Sequence, residues 1–209
     1  MIQLYHHPFS RASGVLWALE EVGEPYELVY VDIMKGEHKA GDVAAKNPMG
    51  KIPVLVDGDV VVTESAAIDL YLADRYAPGR LAPALDDPRR GAYLRWAFYA
   101  PSVVEPGLLA KSANWQFRPS NAGWGDYPSM LATIDHAVSQ GDYLLGDMFS
   151  MADVILGGTL RYMVQFKMLE PSAKVSAYLD RIASRPALQR ADARNAAVAS
   201  ERGLTPASR

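Results

Sequence analysis

The chain has 209 residues, 49% of them hydrophobic, which is enough to bury one large core or two modest ones. Its 21 basic and 24 acidic residues leave a net charge of −3, and neither sign forms a block, so the electrostatic footprint of a nucleic-acid or anionic-membrane binder is excluded. The absence of cysteine excludes disulfides, thiolate-held zinc and a thiol nucleophile belonging to the protein, so any thiol chemistry must arrive with a ligand.

The opening MIQLYHHPFS has neither the basic region nor the long apolar stretch of a secretory signal, and no later segment is apolar for long enough to span a bilayer. A cytoplasmic location without membrane contact is expected. IQLYH alternates like a short strand, and Val15, Leu16, Leu19 and Val22 follow at helical spacing before Gly23 and Pro25 close the helix. YELVYVDI reads as a second strand and KGEHKAGDVAAKN as loop or short helix. PVLV and VVVT flank Asp57-Gly58-Asp59, a hairpin signal, and Ser65 to Tyr76 returns to helix with Ile68 and Leu72 on one face and Asp69 and Arg75 elsewhere. The order β-α-β-loop-β-β-α predicts a four-stranded mixed sheet, a thioredoxin-like α/β domain over residues 1–78.

APGRLAPALDDP is rich in breakers and has no period, which predicts a linker over 79–87. Strand signals then stop. Asp87 is expected to cap a helix with Pro88 in its first turn, and further helices are predicted over 127–140, 150–168 and 172–184, so residues 88–209 read as an all-α domain. Ser150 and Asp153 fit a capping box, and Gly157 and Gly158 suit a close helix approach. Pro101 and Pro106 are expected to bend the helical region around them.

Two short segments carry candidate binding chemistry. In Gly50-Lys51-Ile52-Pro53, a proline at the start of a strand leaves the preceding residue extended with its own N–H and C=O free, which suits main-chain pairing with a peptide ligand. Glu64 and Ser65 lie where a strand turns into a helix. The Ser65 hydroxyl, neighbouring amides and the helix dipole suit a carboxylate, and Glu64 suits an ammonium; together they suit an amino-acid head group. Taken alone, each segment reads better as an ordinary turn or helix cap.

From EHKAGDVAAKNPMGKIPVL through DGDVVVTESAAIDLYLADRYA, the chain resembles the glutathione-binding half of cytosolic glutathione S-transferases nearly residue for residue, and the breaker-rich linker and helical second half resemble that family's layout. The resemblance implies a cis Ile52–Pro53 bond, pairing of the Ile52 backbone with the cysteinyl unit of glutathione, Glu64 and Ser65 on its γ-glutamyl group, and His38, Lys39 and Lys51 near its glycyl carboxylate. It also implies a homodimer with a role in detoxification, glutathione as co-substrate, no metal and no tightly bound cofactor.

A free thiol has a pKa of roughly 8.5, so a transferase must favour the anion. A hydroxyl at a helix N-terminus does so, and Ser10 is placed for it; His7-Pro8-Phe9-Ser10 is similar to the segment that supplies the serine in plant-type members, and Ser10-Arg11-Ala12 to a bacterial and fungal branch. The tyrosine classes place their hydroxyl at the end of the first strand, where this chain has His6, with Tyr5 turned to the other face. Arg11 and His7 stand as rivals to Ser10. The electrophile is expected to be small and apolar and to meet Phe9, Trp96, Tyr99 and Trp115, with Phe117 and Trp124 as further aromatics nearby. Two alternatives stand beside conjugation: a glutathione-dependent disulfide or peroxide reductase on the same fold, and a glutathione-binding regulatory protein without turnover.

Overall fold

The computed structural model describes residues 1–205. The chain divides into two compact units, one made of Met1–Tyr76 with the segment from Arg185 onward, the other of Ala77–Ser184.

In the first unit the strands are β1 (Ile2–His6), β2 (Tyr26–Tyr30), β3 (Val54–Asp57) and β4 (Val60–Thr63), in the spatial order β2-β1-β3-β4. β1 pairs parallel with β2 and antiparallel with β3, and β4 pairs antiparallel with β3 around the two-residue Gly58-Asp59 turn, as the hairpin signal predicts. Helix α1 (Ala12–Val22) crosses from β1 to β2 and ends on Gly23, whose φ of 85° lets its N–H reach the Leu19 carbonyl. The polar stretch after β2 forms a 3₁₀ turn at Glu37–Lys39 and α2 (Gly41–Lys46). Helix α3 (Ser65–Tyr76) follows β4 directly. Period-two alternation sorts the sheet's faces: Tyr5 points toward α2, where its hydroxyl bonds Asp42, and packs with Val31, Val43, Ile52 and Val54, while Leu4 and His6 point the other way.

Asp69 departs from the sequence reading, which put it away from the buried face of α3. It is 3% exposed, next to Ile68 and on the same side as Leu72 and Ala73, because α3 is covered over a wider arc than a single apolar stripe. One carboxylate oxygen has no partner, and burial pushes the group well above the usual carboxylate range. The unfolded chain therefore gives up this proton first. The stability associated with Asp69 is fully present below about pH 4 and falls by about 1.4 kcal/mol for each pH unit above that, until the folded-state pKa is reached. Asp69→Asn, which cannot ionise, should gain thermal stability over the parent, and the gain should be wider at pH 8 than at pH 4.5. Parallel melting profiles at the two pH values would contradict this.

The second unit contains α4 (Arg90–Tyr99), α5 (Glu105–Ser112), α6 (Tyr127–Ala137), α7 (Met151–Gln165) and α8 (Ala173–Ala183). A π-helical turn over Ala100–Val104 joins α4 to α5 at Pro101, where the missing N–H and the ring interrupt the regular ladder. Asp87 does not cap α4. Its carboxylate accepts the Arg89 N–H (2.8 Å) and its carbonyl the Arg90 N–H, so it closes a separate turn around Pro88 and the helix starts only at Arg90. The capping box at Ser150 and Asp153 is present at the start of α7. A Cβ on Gly157 would stand 2.8 Å from Ile182 Cδ1 and 3.1 Å from the Tyr178 hydroxyl, which explains glycine in mid-helix: α8 passes at that point.

The last helix, α9 (Pro186–Glu201), lies outside this helical unit, whereas the sequence reading assigned everything from residue 88 to one domain. It packs on α1 through Leu188 and Ala191. Arg185 forks onto Glu21 (2.6 and 2.8 Å), and Arg190 reaches Glu20 (2.7 Å). An amphipathic pattern shows which face of a helix is buried but not what buries it.

Candidate functional site

Strand register brings the candidate residues together. Tyr5 pairs with Val54 and Val54 with Thr63, so the segment after β1, the segment before β3 and the segment after β4 emerge at one end of the sheet. These are the segments His7–Arg11, Lys51–Pro53 and Glu64–Ser65.

The Ile52–Pro53 bond is cis, as the resemblance implies. The Ile52 side chain is buried, but its backbone N–H and C=O have no partner among the described residues, since β3 begins only at Val54. The preceding turn is fixed by Asn47, whose Nδ2 donates to the Lys51 carbonyl (2.9 Å) and whose own carbonyl accepts the Gly50 N–H (2.8 Å). Gly50 has a φ of 56°, and a Cβ there would lie 3.2 Å from the His38 carbonyl oxygen and 3.4 Å from the Lys39 Cα. This close approach brings His38 and Lys39 to the turn that carries Lys51 and Ile52. His38 Nδ1 is buried without a partner, and the Lys39 and Lys51 side chains are exposed, so the corner offers positive charge and an unsatisfied ring nitrogen.

Glu64 is exposed and has a φ of 67°, in the left-handed region that costs a non-glycine residue roughly 1 kcal/mol or more. Its carbonyl accepts the Ile68 N–H (2.9 Å), so the main chain itself begins α3 and the carboxylate is left unused by the helix. Ser65 is the first residue of α3 and half-buried, at the positive end of the helix dipole. A strained residue of this kind persists where the surrounding structure holds it, here at the junction of β4 and α3.

The turn between β1 and α1 contains the three candidates for thiol activation. Ser10 is half-buried, two residues before the first residue of α1. Its hydroxyl donates to the His7 carbonyl (2.8 Å) and its Oγ accepts the Ala12 N–H (3.2 Å), so it partly caps the helix. His7 is 2% exposed. Its Nδ1 accepts the Phe9 N–H (3.2 Å), which puts the ring proton on Nε2, and the ring packs against Phe9 and Tyr30 at 5.9 and 5.8 Å. Burial lowers its pKa, with nearby Asp32 opposing, so it is a neutral, enclosed imidazole. Arg11 is half-buried beside Ser10. His6, where the tyrosine classes have their hydroxyl, is fully buried and held down to a pKa of about 4, chiefly by burial.

The expected electrophile contacts divide differently. Phe9 is half-exposed in the Ser10 turn. Trp96 is 6% exposed in the core of the helical unit, edge-on to Tyr99 at 5.5 Å, and the Tyr99 hydroxyl donates to the Met130 carbonyl (3.4 Å). Tyr99 itself is half-buried. Trp115 and Phe117 are exposed in the irregular segment after α5, where they line a hollow of about 360 Å³ with Trp124 and Arg118.

A thioredoxin-like sheet bearing this site, followed by an all-helical unit, is the architecture of a glutathione transferase. Residues 1–74 match the family description "Glutathione S-transferase, N-terminal domain" and residues 111–181 match "Glutathione S-transferase, C-terminal domain". The chain is 31% identical to glutathione S-transferase F10 of Arabidopsis thaliana, over 93% of this chain and 97% of that one. It is 28% identical to glutathione S-transferase GstA of Escherichia coli O157:H7, over 90% and 96%. Among solved structures it resembles the glutathione transferase URE2P6 of Phanerochaete chrysosporium in complex with oxidized glutathione, with a TM-score of 0.77, 26% identity and coverage of 94% and 97%. The chain belongs to the glutathione S-transferase family and is a glutathione S-transferase enzyme. No helix among the described residues is long and apolar enough to cross a membrane.

Proposed function

We propose that this chain binds glutathione at the end of the sheet, activates its thiol through Ser10, and transfers it to a small apolar electrophile. The observation that carries the reading is the unpaired Ile52 backbone, set by register between the Ser10 turn and the Glu64–Ser65 pair. The Ile52 backbone pairs with the cysteinyl unit, and Glu64 and Ser65 take the ammonium and carboxylate of the γ-glutamyl group. His38, Lys39 and Lys51 take the glycyl carboxylate. The sulfur then lies beside residue 10.

A serine hydroxyl has one proton, so Ser10 cannot donate to the His7 carbonyl and to sulfur at once. Rotation of the hydroxyl turns its O–H from the His7 carbonyl toward the thiolate, to which it donates a hydrogen bond, while the Ala12 N–H bond keeps the oxygen in place at the N-terminus of α1. The hydrogen bond and the dipole both favour the anion over the neutral thiol. The thiolate attacks the electrophilic carbon, a carbon–sulfur bond forms, the bond to the leaving group breaks, and the thiol proton passes to solvent. Phe9 offers the electrophile an apolar contact. Residence in the cytoplasm, assembly as a homodimer and a role in detoxification belong to the same proposal.

The test has two arms. Calorimetry should detect uptake of glutathione by the folded protein, and an aryl halide should be conjugated faster than a glutathione mixed disulfide is reduced. Binding with the opposite preference would make the enzyme a reductase, and no binding would remove the proposal.

A further inference from the structure

His6 and His7 are adjacent, both buried, and engaged by different parts of the first unit. The His6 backbone is tied to the sheet through its pairing with Tyr30 and the bond from the Val31 N–H to its carbonyl (2.9 Å). Its ring is on the face turned away from α2. There Nε2–H donates to Asn195 Oδ1 (2.7 Å), across most of the chain's length, and Nδ1 has no partner. Asn195 is a half-buried residue in the middle of α9, a helix already anchored to α1 by the Arg185–Glu21 and Arg190–Glu20 pairs. The Ser10 turn starts one residue beyond His6. The His7 carbonyl accepts both the Ser10 N–H (3.1 Å) and the Ser10 hydroxyl (2.8 Å), and the His7 ring accepts the Phe9 N–H.

We infer that Asn195 is a positioning residue for thiol activation: by holding the His6 ring it fixes the end of β1 from which the Ser10 hydroxyl is aimed. The inference rests on the reading of Ser10 as the activating group. Three features of the geometry support it. A fully buried imidazole with one ring nitrogen already orphaned has nowhere else to place its only bonded N–H, so loss of the Asn195 oxygen forces the ring, and the strand end with it, to seek another arrangement. The hydrogen bonds by which Phe9 and Ser10 reach back toward β1 end on His7, the next residue, so displacement passes to Ser10 with no flexible link between. Finally, the ion pairs at Arg185 and Arg190 dock α9 without Asn195, so the helix stays on α1 when that side chain is changed.

The experiment compares Asn195→Ala, which removes the acceptor, with Asn195→Asp, which keeps one in the same place, each in the full chain and well below its measured melting temperature. Asn195→Ala should lower kcat/KM for aryl-halide conjugation roughly tenfold, since small misplacements near reacting atoms cost this order. It should shift the midpoint of the pH–rate profile upward and leave glutathione affinity by calorimetry within about twofold, a split that general destabilisation does not produce. Asn195→Asp should restore the profile. In a Ser10→Ala background, Asn195→Ala should cost nothing further, because the two act through one group. An unmoved midpoint, failure of Asn195→Asp to restore it, or an equal loss in both backgrounds would overturn the positioning role. The two readings fail separately: a profile shifted by Ser10→Ala but not by Asn195→Ala removes Asn195 alone, whereas a profile that Ser10→Ala leaves in place removes Ser10 and the dependent inference together.

Discussion

Ser10→Ala is expected to lower kcat/KM with an aryl halide roughly a hundredfold near neutral pH, the usual range for removing one hydrogen-bond donor from a developing or resident anion. The loss should shrink as pH rises. With the hydroxyl present, the bound thiol should ionise below its free value of roughly 8.5, so that thiolate is abundant near neutrality; without it, the midpoint should move back toward that value and alkali should supply the thiolate instead. Ser10→Thr keeps the donor and should retain most of the activity. Glutathione binding measured by calorimetry should change little in Ser10→Ala, because the proposal assigns the rest of the tripeptide to Ile52, Glu64 and Ser65. A pH–rate profile that Ser10→Ala does not displace would pass the role to Arg11 or His7. Of those, His7 is the weaker, since its ring is enclosed and its Nδ1 is occupied by the Phe9 amide.

Asp153→Ala is expected to cost about 3–5 kcal/mol of stability, since it leaves several buried neutral donors without an acceptor at about 1–3 kcal/mol each, less whatever relaxation recovers. Asp153 has no exposed surface and accepts four hydrogen bonds. One oxygen takes the Leu144 N–H (2.9 Å) and the Tyr178 hydroxyl (3.0 Å), and the other takes the Ser150 N–H (2.9 Å) and hydroxyl (3.2 Å). Burial pushes this carboxyl up and the four bonds push it back down, so the site works through satisfied donors more than through charge. Alanine would leave the donors of α7, α8 and the preceding loop unpaired together. Asp153→Asn keeps one acceptor oxygen and should lose less. Urea unfolding with an unchanged m-value reads the difference, and a loss below about 1 kcal/mol would show that water or a rearranged loop replaces the carboxylate.

What could be read from residues alone was local or depended on a motif. The hairpin at Gly58-Asp59, the Gly23 helix end and the Ser150–Asp153 box each follow from the conformational preference or capping chemistry of a few adjacent residues, and each forms as that chemistry requires. The candidate site was legible only through the family resemblance, which rests on NPMGKIPVL and TES at their spacing in this chain. What tertiary structure decided was which surface covers which. Asp69 reads as a polar residue on a helix, yet it is buried, since the arc of α3 that is covered depends on neighbours that periodicity does not name. Trp96 and Tyr99 share a helix face in either reading, but only packing shows that the indole belongs to the core and that the phenol is bonded to Met130. The bond from His6 to Asn195 joins residues from opposite ends of the chain, and the site's convergence on one end of the sheet comes from strand register. Both are long-range arrangements: local preferences choose the elements, and the burial and pairing of those elements against one another choose their partners.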